Sequence, residues 1–237
     1  MATNIVKEDE LPEPAFNLQS LIFLSLALAS GTLAATRIIP ALLPNLATSM
    51  LGDQAKVFWF LSRGTAFVSY GLLWLSMALG LAITNRMARI WPGGPAAYEI
   101  HEYSSLVGLA FGLFHGLILM GDQYIHYTLP QVLIPFASQN YRPFWVGLGQ
   151  SSLYLLISVT ISFYARKKFA PRTWRLIHYL SFLAFLSVLV HGLMSGTDTE
   201  NLWAQYLYWI SGGSLLFLLI YRLIFNIKLP AQRNRLI

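Results

Sequence analysis

Apolar residues do not alternate singly along this chain; they come in blocks. Predominantly apolar runs of about 20 residues or more, with at most one charge each and long enough to cross a bilayer as helix, are separated by short stretches that collect the prolines and most of the charges. Six such runs can be marked, at 18–36, 57–84, 100–121, 144–165, 174–194 and 203–226. Between them lie Pro40 and Pro44, the tetrad Pro92-Gly93-Gly94-Pro95, then Pro130 and Pro135, then Pro171, residues that break helices or shape turns. The pattern predicts an all-α membrane protein, a six-transmembrane-helix bundle. Its expected organisation is a tail at 1–17, the bundle at 18–226 and a second tail at 227–237.

Composition agrees. Hydrophobic residues make up 56% of the 237 and charged residues 11%, against roughly a quarter charged in soluble domains. Residues 1–17 hold more acid than base and two prolines, so the first apolar run is expected to be a retained helix and not a cleaved signal. With six crossings, the N-tail, the second and fourth connections and the C-tail share one side. Twelve of the 16 basic residues fall there, including Arg86, Arg89, Arg166, Lys167, Lys168, Arg172 and Arg175. Only Arg37, Lys56, Arg63 and Arg142 belong to the other side. That bias places both termini in the cytoplasm. The net charge of +6 therefore reports topology, and nucleic acid is not an expected partner; membrane lipid is. The absence of cysteine removes disulfides, thiolate-held iron–sulfur clusters and covalent haem attachment.

Four of the five histidines lie inside spans, where an ionisable side chain is costly and raises a functional question. His101 and His115, in "HEYSSLVGLAFGLFH", are fourteen positions apart: ~21 Å of helix rise, with side chains within about 40° of each other. Gly108 and Gly112 fall near the same face. They suit either a broad, flat ligand or close helix packing. His178 and His191 occupy the fifth span, thirteen positions apart. The third and fifth spans run in the same direction, so His101 shares a depth with His178 and His115 with His191. Two opposed imidazoles at one depth can ligate a haem iron from both faces, and two pairs make a stack of two haems. Zinc would need three or four ligands converging on one point. One detail resists: thirteen steps of helix turn the second histidine roughly 140° from the first. A steep crossing along the small residues Ser181, Ala184 and Ser187, or a local bulge, would bring both to bear.

The spacing H-x13-H on the third helix and H-x12-H on the fifth resembles the hallmark of the ferric reductase-like transmembrane domain family. That group includes NADPH oxidases, STEAP-type metalloreductases and the haem subunit of the bacterial periplasmic methionine sulfoxide reductase. "LSRGTAFVSYGLLWLSMALGLAITNR" at 61–86, "RPFWVGLG" at 142–149 and "WRLIHYLSFLAF" from Trp174 are similar in character. The resemblance implies two b-type haems, His101 with His178 toward the cytoplasm and His115 with His191 toward the outside, in a bacterial plasma membrane. Electrons would cross to an outer-face acceptor: a ferric chelate, oxygen or a redox protein. No G-x-G-x-x-G fingerprint is present, so no flavin or NAD(P) site is expected in this chain. A separate flavoprotein, reductase subunit or quinol would supply the electrons, making the chain an oxidoreductase subunit. The alternative is a non-catalytic haem-bearing or scaffolding subunit. For the haem propionates the candidates are Arg63, Arg172 and Arg175, with Arg142 behind them. His126, in an outer connection, is expected to be an exposed loop residue.

Overall fold

A computed structural model describes residues 14, 16–45, 48, 56–122, 124–139 and 141–233, with side chains described as far as residue 224. Among them there are helices and no strands. Six helices are long and apolar enough to cross a membrane. They are α1 (Leu18–Leu42), α2 (Lys56–Thr84), α3 (Gly94–Ile118, continued by a tight turn to Gly121), α4 (Pro143–Tyr164), α5 (Pro171–Ser195) and α6 (Leu202–Arg233). Most ends of the expected spans agree with these within three residues, but α1 runs six residues past its expected end and α3 starts six residues before its expected start. α6 continues through 227–233, where a tail was expected. Of the expected tail at 1–17, only 14, 16 and 17 are described.

Local chemistry explains the boundaries. The Asn17 carboxamide accepts from the Ser20 amide at 2.8 Å and caps α1, satisfying one of the donors that a helix start leaves open. α3, α4 and α5 each open with proline in the first turn, where the missing N–H is no loss. Gly93, at φ +104°, makes the turn into α3, a conformation that side-chain-bearing residues avoid. "PGGP" is thus a helix junction. α1 widens into a π turn over Ala34–Ile38 immediately before Pro40, which accommodates the hydrogen bond proline cannot make.

α2 lies at the centre, against α3, α5 and α6, while α4 pairs with α5 and α1 leans on α3. α2 and α3 are antiparallel and held by a regular polar seam. Ser62 donates to the His115 carbonyl at 3.1 Å, Ser69 donates to the Gly108 carbonyl at 2.7 Å, and Ser76 lies 3.0 Å from His101 Nδ1. Contacts recur every seven residues on both helices, and each pair of residue numbers sums to 177. A β-carbon at Gly108 would stand 3.1 Å from Leu73, and one at Gly112 3.2 Å from Ser69 Oγ. These glycines bring α2 and α3 close, which is the packing alternative for the glycine face.

On its other side α2 meets α6 through Tyr70 and Ser211, 2.5 Å apart, and through Trp74 Nε1, which donates to Ser214 at 2.9 Å. Hydroxyl groups of this kind join helices where water is absent. Replacing Ser69 by Ala is expected to lower stability by ~0.6 kcal/mol, the usual worth of one interhelical hydrogen bond in a membrane protein. Ser69→Leu, whose bulk meets the glycine face of α3, should cost about 1–3 kcal/mol. Unfolding in mixed micelles, followed by tryptophan fluorescence, measures both.

Candidate functional site

The structure brings the four histidines together in two pairs. His101 on α3 faces His178 on α5 with ring centroids 6.2 Å apart and planes at 64°. His115 faces His191 at 6.3 Å and 70°. Early meets early and late meets late, so α3 and α5 are co-directional. α5 reaches both partners as one uninterrupted α-helix; the bulge that the thirteen-residue spacing allowed is not used. Ala184 and Ser187 on its small-residue stripe are buried.

Three of the four imidazoles are fixed in the same way. His101 Nδ1 lies 2.8 Å from the Ser76 carbonyl, His115 Nδ1 2.8 Å from the Ser62 carbonyl, and His191 Nδ1 2.8 Å from the Trp145 carbonyl. A carbonyl can only accept, so each Nδ1 carries the proton and each Nε2 keeps a lone pair. Ser62 and Ser76 add their hydroxyls, 2.8 and 3.0 Å from the same nitrogens.

The rings lie against the helix surfaces that supply those carbonyls. A β-carbon at Gly149, four residues beyond Trp145, would come within 2.6 Å of the His191 ring. At Gly80, four beyond Ser76, it would stand 3.3 Å from His101. Ala66 holds the corresponding place four beyond Ser62. A ring that donates to carbonyl i needs a small residue at i+4, whose amide bonds that same carbonyl along the helix.

His178 is the exception. Its Nδ1 is buried with no hydrogen-bond partner among the described residues. Trp174, one turn earlier on α5, stacks on its ring at 5.4 Å and 28°. A cleft beside this pair is lined by His101, His178, Gly80, Ser105, Phe182 and Arg222 among others. Neither Gly108 nor Gly112 borders it.

The arginines fare differently from one another. Arg63 follows Ser62 and sits at the His115 end, where its Nε and Nη2 both bond the Asp198 carboxylate. Asp198 is buried, and the Arg63 side chain is 33% exposed. Arg142 donates to the Met194 carbonyl, and Tyr141 to the Ser195 carbonyl at 2.8 Å, closing the last turn of α5. At the other end Arg175 is half-buried and Arg172 exposed. His126 is exposed at φ +55°. Beside it, burial pushes the Tyr127 phenol above its ordinary pKa, and the Tyr127 carbonyl accepts from Arg37 at 2.8 Å.

Sequence reasoning missed Ser62, Ser76, Gly80, Gly149, Trp174, Asp198 and Arg222. The serines carried a usable signal. Ser62 and Ser76 are fourteen apart on an antiparallel neighbour, the interval that separates His101 from His115. Among the described residues no three of His, Asp and Glu gather in one place; the histidines meet only in twos.

A family model described as a domain of unknown function (DUF8596) matches residues 57–198, more than half the chain, and the chain belongs to that family. The matched stretch runs from the start of α2 to Asp198 and takes in both histidine pairs. No curated protein and no solved structure matches the chain.

Asp198→Asn leaves the Arg63 guanidinium without its counter-ion. The expected loss is roughly 1–3 kcal/mol, between the limits for exposed and buried pairs. Thermal melting in detergent should show that loss, with the Arg63→Gln/Asp198→Asn double variant falling by less than the sum of the singles.

Proposed function

We propose that this member of the DUF8596 family is a transmembrane electron carrier of the ferric reductase-like type. Two b-type haems would be held between α3 and α5, one by His101 and His178 and the other by His115 and His191. The observation that carries this reading is the spacing of the rings. A metal–imidazole bond of about 2.05 Å, plus about 1.1 Å from Nε2 to the ring centre, puts two imidazoles on opposite sides of one metal about 6.3 Å apart. The two pairs stand at 6.2 and 6.3 Å, and at three of the four rings the nitrogen left free is the one that would bind.

Each haem, when bound, supplies a one-electron iron couple whose potential the protein tunes. The chain's own residues do the rest. Ser62, Ser76 and Trp145 hold three rings in one tautomer and orientation, so little rearrangement accompanies a change of charge. α2 and the α4–α5 pair supply apolar walls. With both imidazoles of each pair holding the group, no position on the metal would be left for an acceptor, which would instead have to approach the edge of the site. The basic connections Arg86–Arg89 and Arg166–Lys168 lie beyond the His101–His178 ends of their helices, which supports a cytoplasmic or membrane donor there and an acceptor at the opposite face.

Purified protein expressed with ample haem should show two b haems per chain by pyridine haemochrome. His101→Ala and His178→Ala should each remove the same one, and His115→Ala and His191→Ala the other. A colourless polypeptide would sink the proposal. Ring planes 64° and 70° apart predict strongly anisotropic low-spin EPR signals of the crossed-imidazole kind. Gly149→Ala should disturb the His115–His191 signal, while Gly80→Ala, whose β-carbon needs far less room, should leave the other nearly as it was.

A further inference from the structure

Hydroxyl groups gather where the connection between α3 and α4 meets the last turn of α5, and three of them are unpaired. Tyr127 and Ser138 come from that connection and Ser195 from α5; they are 3%, 1% and 9% exposed. None of their three hydroxyls has a hydrogen-bond partner among the described residues. Ser138 and Tyr141 both lie near enough to the Tyr127 phenol to bear on its ionisation. Tyr141 ties the group together, since its own hydroxyl donates to the Ser195 carbonyl at 2.8 Å. It is only half-buried, and so reaches toward solvent. Buried hydroxyls are ordinarily satisfied by protein or by ordered water, and three unsatisfied ones in one neighbourhood point to a ligand.

The chemistry of the set selects that ligand. Three cations at this end are engaged elsewhere: Arg37 on the Tyr127 carbonyl, Arg63 on Asp198 and Arg142 on the Met194 carbonyl. An anion would find no free guanidinium among them, and an apolar molecule would leave the hydroxyls unpaired. Water donates twice and accepts twice, and it matches side chains that each do both. The position is equally specific. Ser195 stands four residues past His191 on α5, one turn on along the same face. Trp145, whose carbonyl holds His191, follows Tyr141 by four.

Resting on the electron-carrier reading above, we propose that Tyr127, Ser138, Tyr141 and Ser195 enclose a site for ordered water that carries protons between solvent and the His115–His191 end. An acceptor reduced there gains one electron from the carrier and one proton from this site. The O–H that gives the proton is restored from the next hydroxyl or water, and the last of these from solvent at Tyr141. Guanidinium groups do not give up their protons and cannot serve in such a chain. Hydroxyls and water can, because each accepts one hydrogen bond while donating another. The relay keeps negative charge from building up on a reduced acceptor against a low-dielectric wall.

Radiolytic hydroxyl labelling of the full chain in lipid nanodiscs, read by mass spectrometry, tests the water site without any haem. Radicals arise from water beside a side chain, so Tyr127 should be labelled about fivefold faster than a dry tyrosine of equal burial. Tyr70 is that control: it is 4% exposed, and its hydroxyl meets Ser211. Ser138→Val, whose bulk displaces water, should bring Tyr127 down toward the Tyr70 rate. Equal rates for the two tyrosines in the unaltered protein, or no fall in Ser138→Val, would overturn the site. The proton role is read on haem-loaded protein, reduced and then mixed with one of two probes. Ferricyanide takes an electron alone, whereas benzoquinone takes one proton with each electron. The ratio of benzoquinone to ferricyanide rates should fall about tenfold in Tyr127→Phe, and about twofold in heavy water for the unaltered protein. A ratio unchanged in Tyr127→Phe would overturn the relay. Protein that binds no haem overturns the electron-carrier reading, and the relay with it, while the labelling still decides the water site, so the failures are told apart.

Discussion

A backbone carbonyl can accept a hydrogen bond but never donate one, and the arrangement of this site follows from that. When His101, His115 and His191 point Nδ1 at the carbonyls of Ser76, Ser62 and Trp145, tautomer, ring orientation and the direction of the free nitrogen are all set together. An imidazole in an apolar bundle has few other ways to satisfy its N–H, and leaving it unsatisfied costs about 1–3 kcal/mol. The acceptor carbonyls are already engaged along their own helices and use a second lone pair for histidine. The helix that positions a ring therefore keeps its own hydrogen bonds. The geometry does require room, and Gly80, Ala66 and Gly149 stand where that room is needed.

The spans, their order and the pairing of histidines by depth were legible because each depends on a pattern within one helix. A bilayer demands about 20 apolar residues, and fourteen residues of helix return almost to the same face. The thirteen-residue step on α5 was not legible in the same way. It predicts a bulge or a steep crossing, and α5 has no bulge. It also coincides with the one ring, His178, that finds no carbonyl and stacks on Trp174 instead.

What stayed hidden depends on approach between distant segments. Nothing in the neighbourhood of Asp198 foretells Arg63, which is 135 positions earlier. Arg222 reaches the cleft from the last helix, at a site assembled from α2, α3, α4 and α5. Gly108 and Gly112 illustrate the limit from the other side. Their face was plain from the sequence, but whether it meets a flat ligand or another helix is settled by the neighbour, and the neighbour is α2. Charge likewise needed a partner to be interpreted: of the cations expected on the outer side, Arg37, Arg63 and Arg142 each engage protein oxygen.

The seam between α2 and α3 works like a vernier scale. Sliding one helix by seven residues would again set a serine opposite the right backbone, Ser69 facing His115 and Ser76 facing Gly108, and the interior would hardly register the error. His101 would then face Ile83, which offers no hydroxyl. Alignment is thus decided at the extremities of the repeat, by the imidazoles themselves. A slipped hairpin betrays itself only by a stranded histidine, which makes the ligands of the proposed cofactor also the proofreaders of helix insertion.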